Sequence, residues 1–133
     1  MTRKSLSSEE RIKSRKDLKK IFSQGVVLMS GDRKIKAQFT VTQGHDNNHG
    51  VKITAAVSKK SGKAVWRNRL KRLIRESYRL NKEILVNFCL KRKLLLQVVF
   101  STGVLNQKQN RKIKLQEIME SMIEVMTKIK EGI

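Results

Sequence analysis

The sequence has no proline, one cysteine, seven glycines and eleven acidic residues among 133. A lone cysteine, Cys89, excludes an internal disulfide and a cysteine metal cluster, and it fits a reducing, cytoplasmic location. Its neighbours Phe88 and Leu90 mark it as a small apolar core residue. No apolar run approaches the roughly 20 residues that span a bilayer. The start, MTRKSLSSEERIKSRK, has no apolar core of a signal peptide. There is no repeat, low-complexity block or Pro/Gly-rich linker, so residues 1–133 are expected to form one domain, with the order of 1–10 left open. A domain near this size buries roughly two thirds of the surface its unfolded chain exposes, enough for a real core.

What the chain does have is positive charge. Lys and Arg number 31, giving a formal net charge of +20. Such an excess opposes compaction and calls for a partner that neutralises it. The cations are spread over segments with regular apolar spacing rather than confined to a tail.

Ser14-Arg15-Lys16-Asp17 has the form of a capping box, and Leu18, Ile21 and Phe22 follow at helical spacing. Gly25 supplies the stop, so a short first helix is expected; a start at Ser7, with Glu10 three residues on, is the alternative. From Lys34 to Thr42 the chain alternates strictly, with Ile35, Ala37, Phe39 and Val41 on one face. After the turn-rich QGHDNNHG, residues Val51, Ile53, Ala55 and Val57 alternate again and predict a strand returning antiparallel to the first. A helix from about Ala64 to Leu80 gathers Trp66, Leu70, Leu73, Ile74 and Ser77 on one side. Ile84, Leu85 and Phe88 continue helical packing, LLLQVVF reads as a strand covered on both faces, and Leu115 to Ile129 make a last amphipathic helix. The expected fold is an α/β (α+β) two-layer sandwich in the order α-β-β-α-β-α: about three helices on a small mixed sheet of four strands or fewer.

Val57 to Arg79 is the most informative stretch. It holds Lys59, Lys60, Lys63, Arg67, Arg69, Lys71, Arg72, Arg75 and Arg79 against one acid, Glu76. Arg forks and Lys point charges suit phosphates. On the helical wheel Asn68, Lys71, Arg72, Arg75 and Arg79 lie opposite the apolar stripe, flanked by Arg67 and Arg69, so the ridge faces outward. Asn68 can bond a base edge or a 2′-hydroxyl. The link Ser58 to Lys63 lets amides and lysines approach phosphates together, but it lacks the Walker spacing. An ordered cationic surface of this density fits a polyanion of definite shape, with RNA first.

This run closely resembles the signature of the protein subunit of bacterial ribonuclease P. The match rests on Arg67-Asn68-Arg69, Lys71-Arg72 and Arg75-Glu76, with Ser58-Lys59-Lys60 and Gly62-Lys63-Ala64. Arg15 to Gly25 resembles that family's first helix, with Phe22 and Gly25 in matching places. The resemblance implies a ribonucleoprotein that removes the 5′ leader of precursor tRNA, with catalysis carried by the RNA subunit and its Mg²⁺, so the protein supplies no catalytic residue and binds no metal alone. Lys59, Lys60, Lys63, Arg67, Asn68, Arg69, Lys71, Arg72 and Arg75 would bind the catalytic RNA. A cleft between the first helix and the sheet would hold the leader through Leu18, Phe22, Lys36, Gln38 and Phe39. Leu18 stands where the family often has an aromatic, and the family's strand aromatic falls at Gln38 or Phe39. Thr54 stands where Gly is common, and the Pro/Gly-rich link before the next strand is absent. The resemblance also implies a protein monomeric within the holoenzyme and a left-handed βαβ crossover, against the right hand of about 98% of such connections.

Two rivals compete. A protein-only nuclease would use His45, Asp46 and His49 as metal ligands or acid and base, although Asp, Asn and Gly also suit a plain polar loop. A basic RNA-binding protein of ribosomal or nucleoid type would share the charge without the processing role.

Overall fold

A computed structural model describes residues 8–45 and 48–133. Helix α1 spans Arg15–Gln24 and is capped as its sequence predicts, the Ser14 hydroxyl accepting the Asp17 amide at 3.2 Å. Gly25 ends it in extended backbone, not in a left-handed turn. Glycine is required there by close approach, since a Cβ would sit 2.3 Å from the Ile21 carbonyl oxygen. The chain passes directly into β1 (Val26–Met29), a strand the alternation analysis does not anticipate. Strand β2 (Ile35–Gln43) and strand β3 (Gly50–Ala56) follow. Helix α2 (Ala64–Asn81) and helix α3 (Glu83–Arg92) are separated at Lys82, which makes four α-helices among the described residues rather than about three. Strand β4 (Leu94–Thr102) and helix α4 (Leu115–Gly132) complete the order.

The sheet order is β1-β2-β4-β3. β2 and β3 do run antiparallel, but β4 lies between them, antiparallel to β2 and parallel to β3. The connection from β3 to β4 through α2 and α3 is therefore a parallel crossover. β4 is covered on both faces, which explains its near-continuous apolar run. Leu96, Val98 and Phe100 face the main core with Ile35, Ala37 and Phe39, while Val99 faces a smaller cluster of Ile12 and Ile21, with Leu18 and Ala56 against it. The main core is closed by α2, α3 and α4, and α1 lies on the opposite face. Cys89 is fully buried in the main core, and burial pushes its thiol up to about 11, which keeps it protonated at neutral pH.

The β1–β2 connection is tied to α4 by side chains. Asp32 accepts from the Ser30 hydroxyl at 2.6 Å, the Lys34 amide at 3.0 Å and the Ser121 hydroxyl at 2.7 Å. Glu124 accepts the Gly31 amide at 2.6 Å and pairs with Lys128 at 2.9 Å.

Candidate nucleic-acid interface

Trp66, Leu70, Ile74 and Tyr78 on α2 are 4% exposed or less. Each such buried side chain contributes about 2 kcal/mol, so the helix is held on the sheet against the repulsion of its own cations. The Trp66 indole N–H donates to the Asn110 carbonyl at 3.1 Å. Asn68, Arg69, Arg72 and Arg75 are exposed on the outer side, and Arg67 and Lys71 are half-buried at its margins. Arg79 is half-buried and bound to Glu76, whose carboxyl it holds below the usual range. The one acid of the segment is thus occupied at the far end of the helix. Among the described residues no carboxylate pairs with Arg67, Arg69, Lys71, Arg72 or Arg75.

Lys59–Ser61 form a single 3-10 turn that begins at Ser58, whose hydroxyl accepts the Lys60 amide at 3.3 Å. Lys59, Lys60 and Lys63 are exposed. α2 starts at Lys63 without a side-chain cap, so the orphan amides of its first turn add partial positive charge beside these lysines. The turn is braced from outside: the Lys63 amide donates to Gln107 Oε1 at 2.7 Å, and the Gln107 amide donates to the Ser61 carbonyl at 2.7 Å. Gln107 belongs to the connection between β4 and α4, and no local pattern points to this contact.

The second surface lies on the α1 face of the sheet. The register sets Val27, Gln38, Val99 and Thr54 in one row, and Met29, Lys36, Ser101 and Ala56 in the next. α1 covers the Val99 and Ala56 side through Ile21 and Leu18, so Leu18 is an anchor, half-buried in that packing. Lys36 and Gln38 are half-buried beside exposed Val27 and Met29. Phe22, next to the buried Ile21, is 55% exposed. Phe39 is not brought to this cleft. It is 4% exposed and faces the main core, because odd positions of β2 point away from α1. Val27 and Met29 escaped the sequence reading, although the run Val26 to Met29 directly after Gly25 carries a strand signal.

His45 and Asn48 pair through backbone bonds, and the His45 carbonyl lies 3.2 Å from His49 Nδ1. Asp46 and Asn47 lie outside the described residues, as does a helix start at Ser7. Among the described residues no group of three or more His, Cys, Asp or Glu side chains is placed to hold a metal ion. No described helix is long and apolar enough to cross a membrane.

The sequence model of the family Ribonuclease P matches residues 6–130. The chain belongs to the ribonuclease P family. A ribonuclease P protein component of Syntrophus aciditrophicus is 36% identical over 83 residues, which are 62% of this chain and 65% of that relative. One from a Thermoanaerobacter strain is 39% identical over 71 residues, 53% of this chain and 55% of the relative. Among solved structures, the RNase P protein from Thermotoga maritima superposes with a TM-score of 0.69 at 23% identity, covering 90% of this chain and 96% of that one. The Staphylococcus aureus RNase P protein gives 0.66 at 21% identity, covering 91% and 95%. These structures share the fold, a four-stranded sheet with helices on both faces.

Within the ribonuclease P family frame, Thr54 acquires a local explanation. Its hydroxyl donates to the Ile12 carbonyl at 3.4 Å, beside a backbone bond from the Ile12 amide to the Ile53 carbonyl at 3.0 Å. The segment before α1 is thereby laid along the β3 edge, and Arg11 and Lys13 line one hollow with Arg75 of the α2 ridge.

Proposed function

We propose that this chain is the protein subunit of a ribonuclease P ribonucleoprotein that removes the 5′ leader of precursor tRNA. RNA binding and precursor-tRNA processing follow from the family. Lys59, Lys60, Lys63, Arg67, Asn68, Arg69, Lys71, Arg72 and Arg75 bind the catalytic RNA. Phe22, Lys36 and Gln38, with Leu18 behind them, receive the single-stranded leader, and Val27 and Met29 extend that surface. The observation that carries this reading is the α2 ridge: cations without carboxylate partners among the described residues, fixed by an apolar stripe and turned outward. Such contacts position a protein on RNA without reading sequence. Stacking on Phe22 and charge from Lys36 suit an unpaired strand.

Mg²⁺ prefers hard oxygen ligands, chiefly carboxylates and phosphates. Asp32 and Glu124 already accept hydrogen bonds that fix a turn. Among the described residues no group of acidic, His or Cys side chains is placed to hold Mg²⁺, and in this reading the metal is held mainly by the RNA subunit. The protein acts as a single domain over residues 1–133, as a monomer within the holoenzyme, in the cytoplasm.

The test is reconstitution with the RNA subunit at low Mg²⁺. The chain should stimulate leader removal, and should cut nothing alone. Absence of stimulation would leave a general basic RNA binder. Cleavage by the isolated chain, lost on changing His45 and His49 to Ala, would establish a protein nuclease.

A further inference from the structure

The connection between β4 and α4 carries its own cations. Lys108, Arg111 and Lys112 are all exposed. Buried Leu105 and Ile113, 3% and 4% exposed, pin its two ends in the structure. Between them the backbone is fixed by its own amides: Asn110 Oδ1 accepts the Asn106 amide at 3.1 Å, and Asn106 Oδ1 accepts the Gln109 amide at 2.9 Å. This rigid loop is fastened to the 59–63 turn, 44 residues away in sequence, through Gln107 and Lys63. The approach is close enough that a Cβ on Gly62 would stand 2.7 Å from Gln107 Cβ.

The Gln107 contacts therefore set the turn that carries Lys59, Lys60 and Lys63 against the loop that carries Lys108, Arg111 and Lys112. Glu117, which shares a hollow with Arg111 and Lys112, accepts the Lys114 amide at 2.9 Å instead of pairing with them. Cations concentrated on two adjoining loops repel one another, and a phosphate chain lying across both loops removes that cost. We propose that the β4–α4 connection is a second phosphate-binding segment for RNA, forming with the 59–63 turn one two-sided cradle. The proposal rests on the reading of α2 as an RNA-binding helix.

The test is a salt titration of binding to the RNA subunit. Replacing Lys108, Arg111 and Lys112 together by Ala should weaken binding and make the slope of log K against log salt shallower by about two to three. Arg69→Ala, on the α2 ridge, should make it shallower by about one. A Lys91→Ala/Lys130→Ala variant measures the share due to net charge alone. If the triple variant loses no more per cation than that control while Arg69→Ala behaves as stated, the loop proposal is overturned and the function stands. If Arg69→Ala also leaves the slope unchanged, the function reading falls with it. In the unaltered chain, bound RNA should protect Lys108 and Lys112 from amine modification; undiminished labelling at saturation overturns the cradle.

Discussion

The Arg67 guanidinium Nε donates to the Gly62 carbonyl at 3.0 Å, so this arginine closes the turn that precedes its own helix. Arg69, two residues on, is exposed and makes no such bond among the described residues. The two arginines of the motif therefore differ in kind. Both should lower RNA-subunit affinity and the salt slope by about one when changed to Ala. Arg67→Ala should also cost about 1 kcal/mol of stability through the lost bond, whereas Arg69→Ala should stay within about 0.5 kcal/mol of the parent. Denaturant unfolding beside the salt titration separates them. Equal stabilities would contradict the role given to Arg67.

Phe22 is exposed, so its removal should hardly affect folding. Phe22→Ala should weaken binding of leader-bearing precursor tRNA by the loss of a stacked base, about 1–3 kcal/mol. Binding of mature tRNA should be little changed. Dissociation constants for the two RNAs with the holoenzyme check this, and equal losses would remove the leader from this cleft.

Gly62 is extended, with φ 170°, a conformation open to any residue. Its constraint is space, since an added Cβ would lie 2.7 Å from both Gln107 Cβ and Trp66 Cε3. Gly62→Ala should destabilise the fold by about 1–3 kcal/mol through overpacking. A melting temperature equal to that of the parent would show that the brace yields freely.

Asp32 lies in a site where burial opposes its charge, yet the Ser30, Lys34 and Ser121 donors outweigh that and hold it below its ordinary 3.8. Lys128 and the Gly31 amide hold Glu124 below its ordinary 4.5. A carboxylate with a lowered folded-state pKa contributes stability that is complete above its unfolded value and is lost as pH falls through the folded one. Unfolding free energy should therefore decline as pH drops below about 4.5, the upper of the two ordinary values. Asp32→Asn should be less stable at neutral pH and should show a flatter decline. An equally steep decline in that variant would exclude Asp32 as a contributor.

Much of the fold was legible because it is written in short-range pattern. Ser14 and Asp17 mark the start of α1, and the bounds of α2 follow from its apolar stripe within one residue. Alternation put Lys36 and Gln38 on the face opposite Phe39, and the register agrees. The same alternation offered no means of choosing neighbours. β2 and β3 look like a hairpin in sequence, and only the packing of β4 between them separates the two. The break at Lys82 is likewise silent, since the apolar spacing runs on from α2 into α3.

The sequence by itself determined that an amphipathic helix carries a dense, nearly acid-free row of cations, because charge and helical period are properties of consecutive residues. Tertiary structure alone decided what stands beside that row. Gln107 meets Lys63, and Thr54 meets Ile12, across separations that no local spacing records. Such contacts exist only once burial of the apolar faces has brought distant segments together, and that burial fixes which cations share a surface.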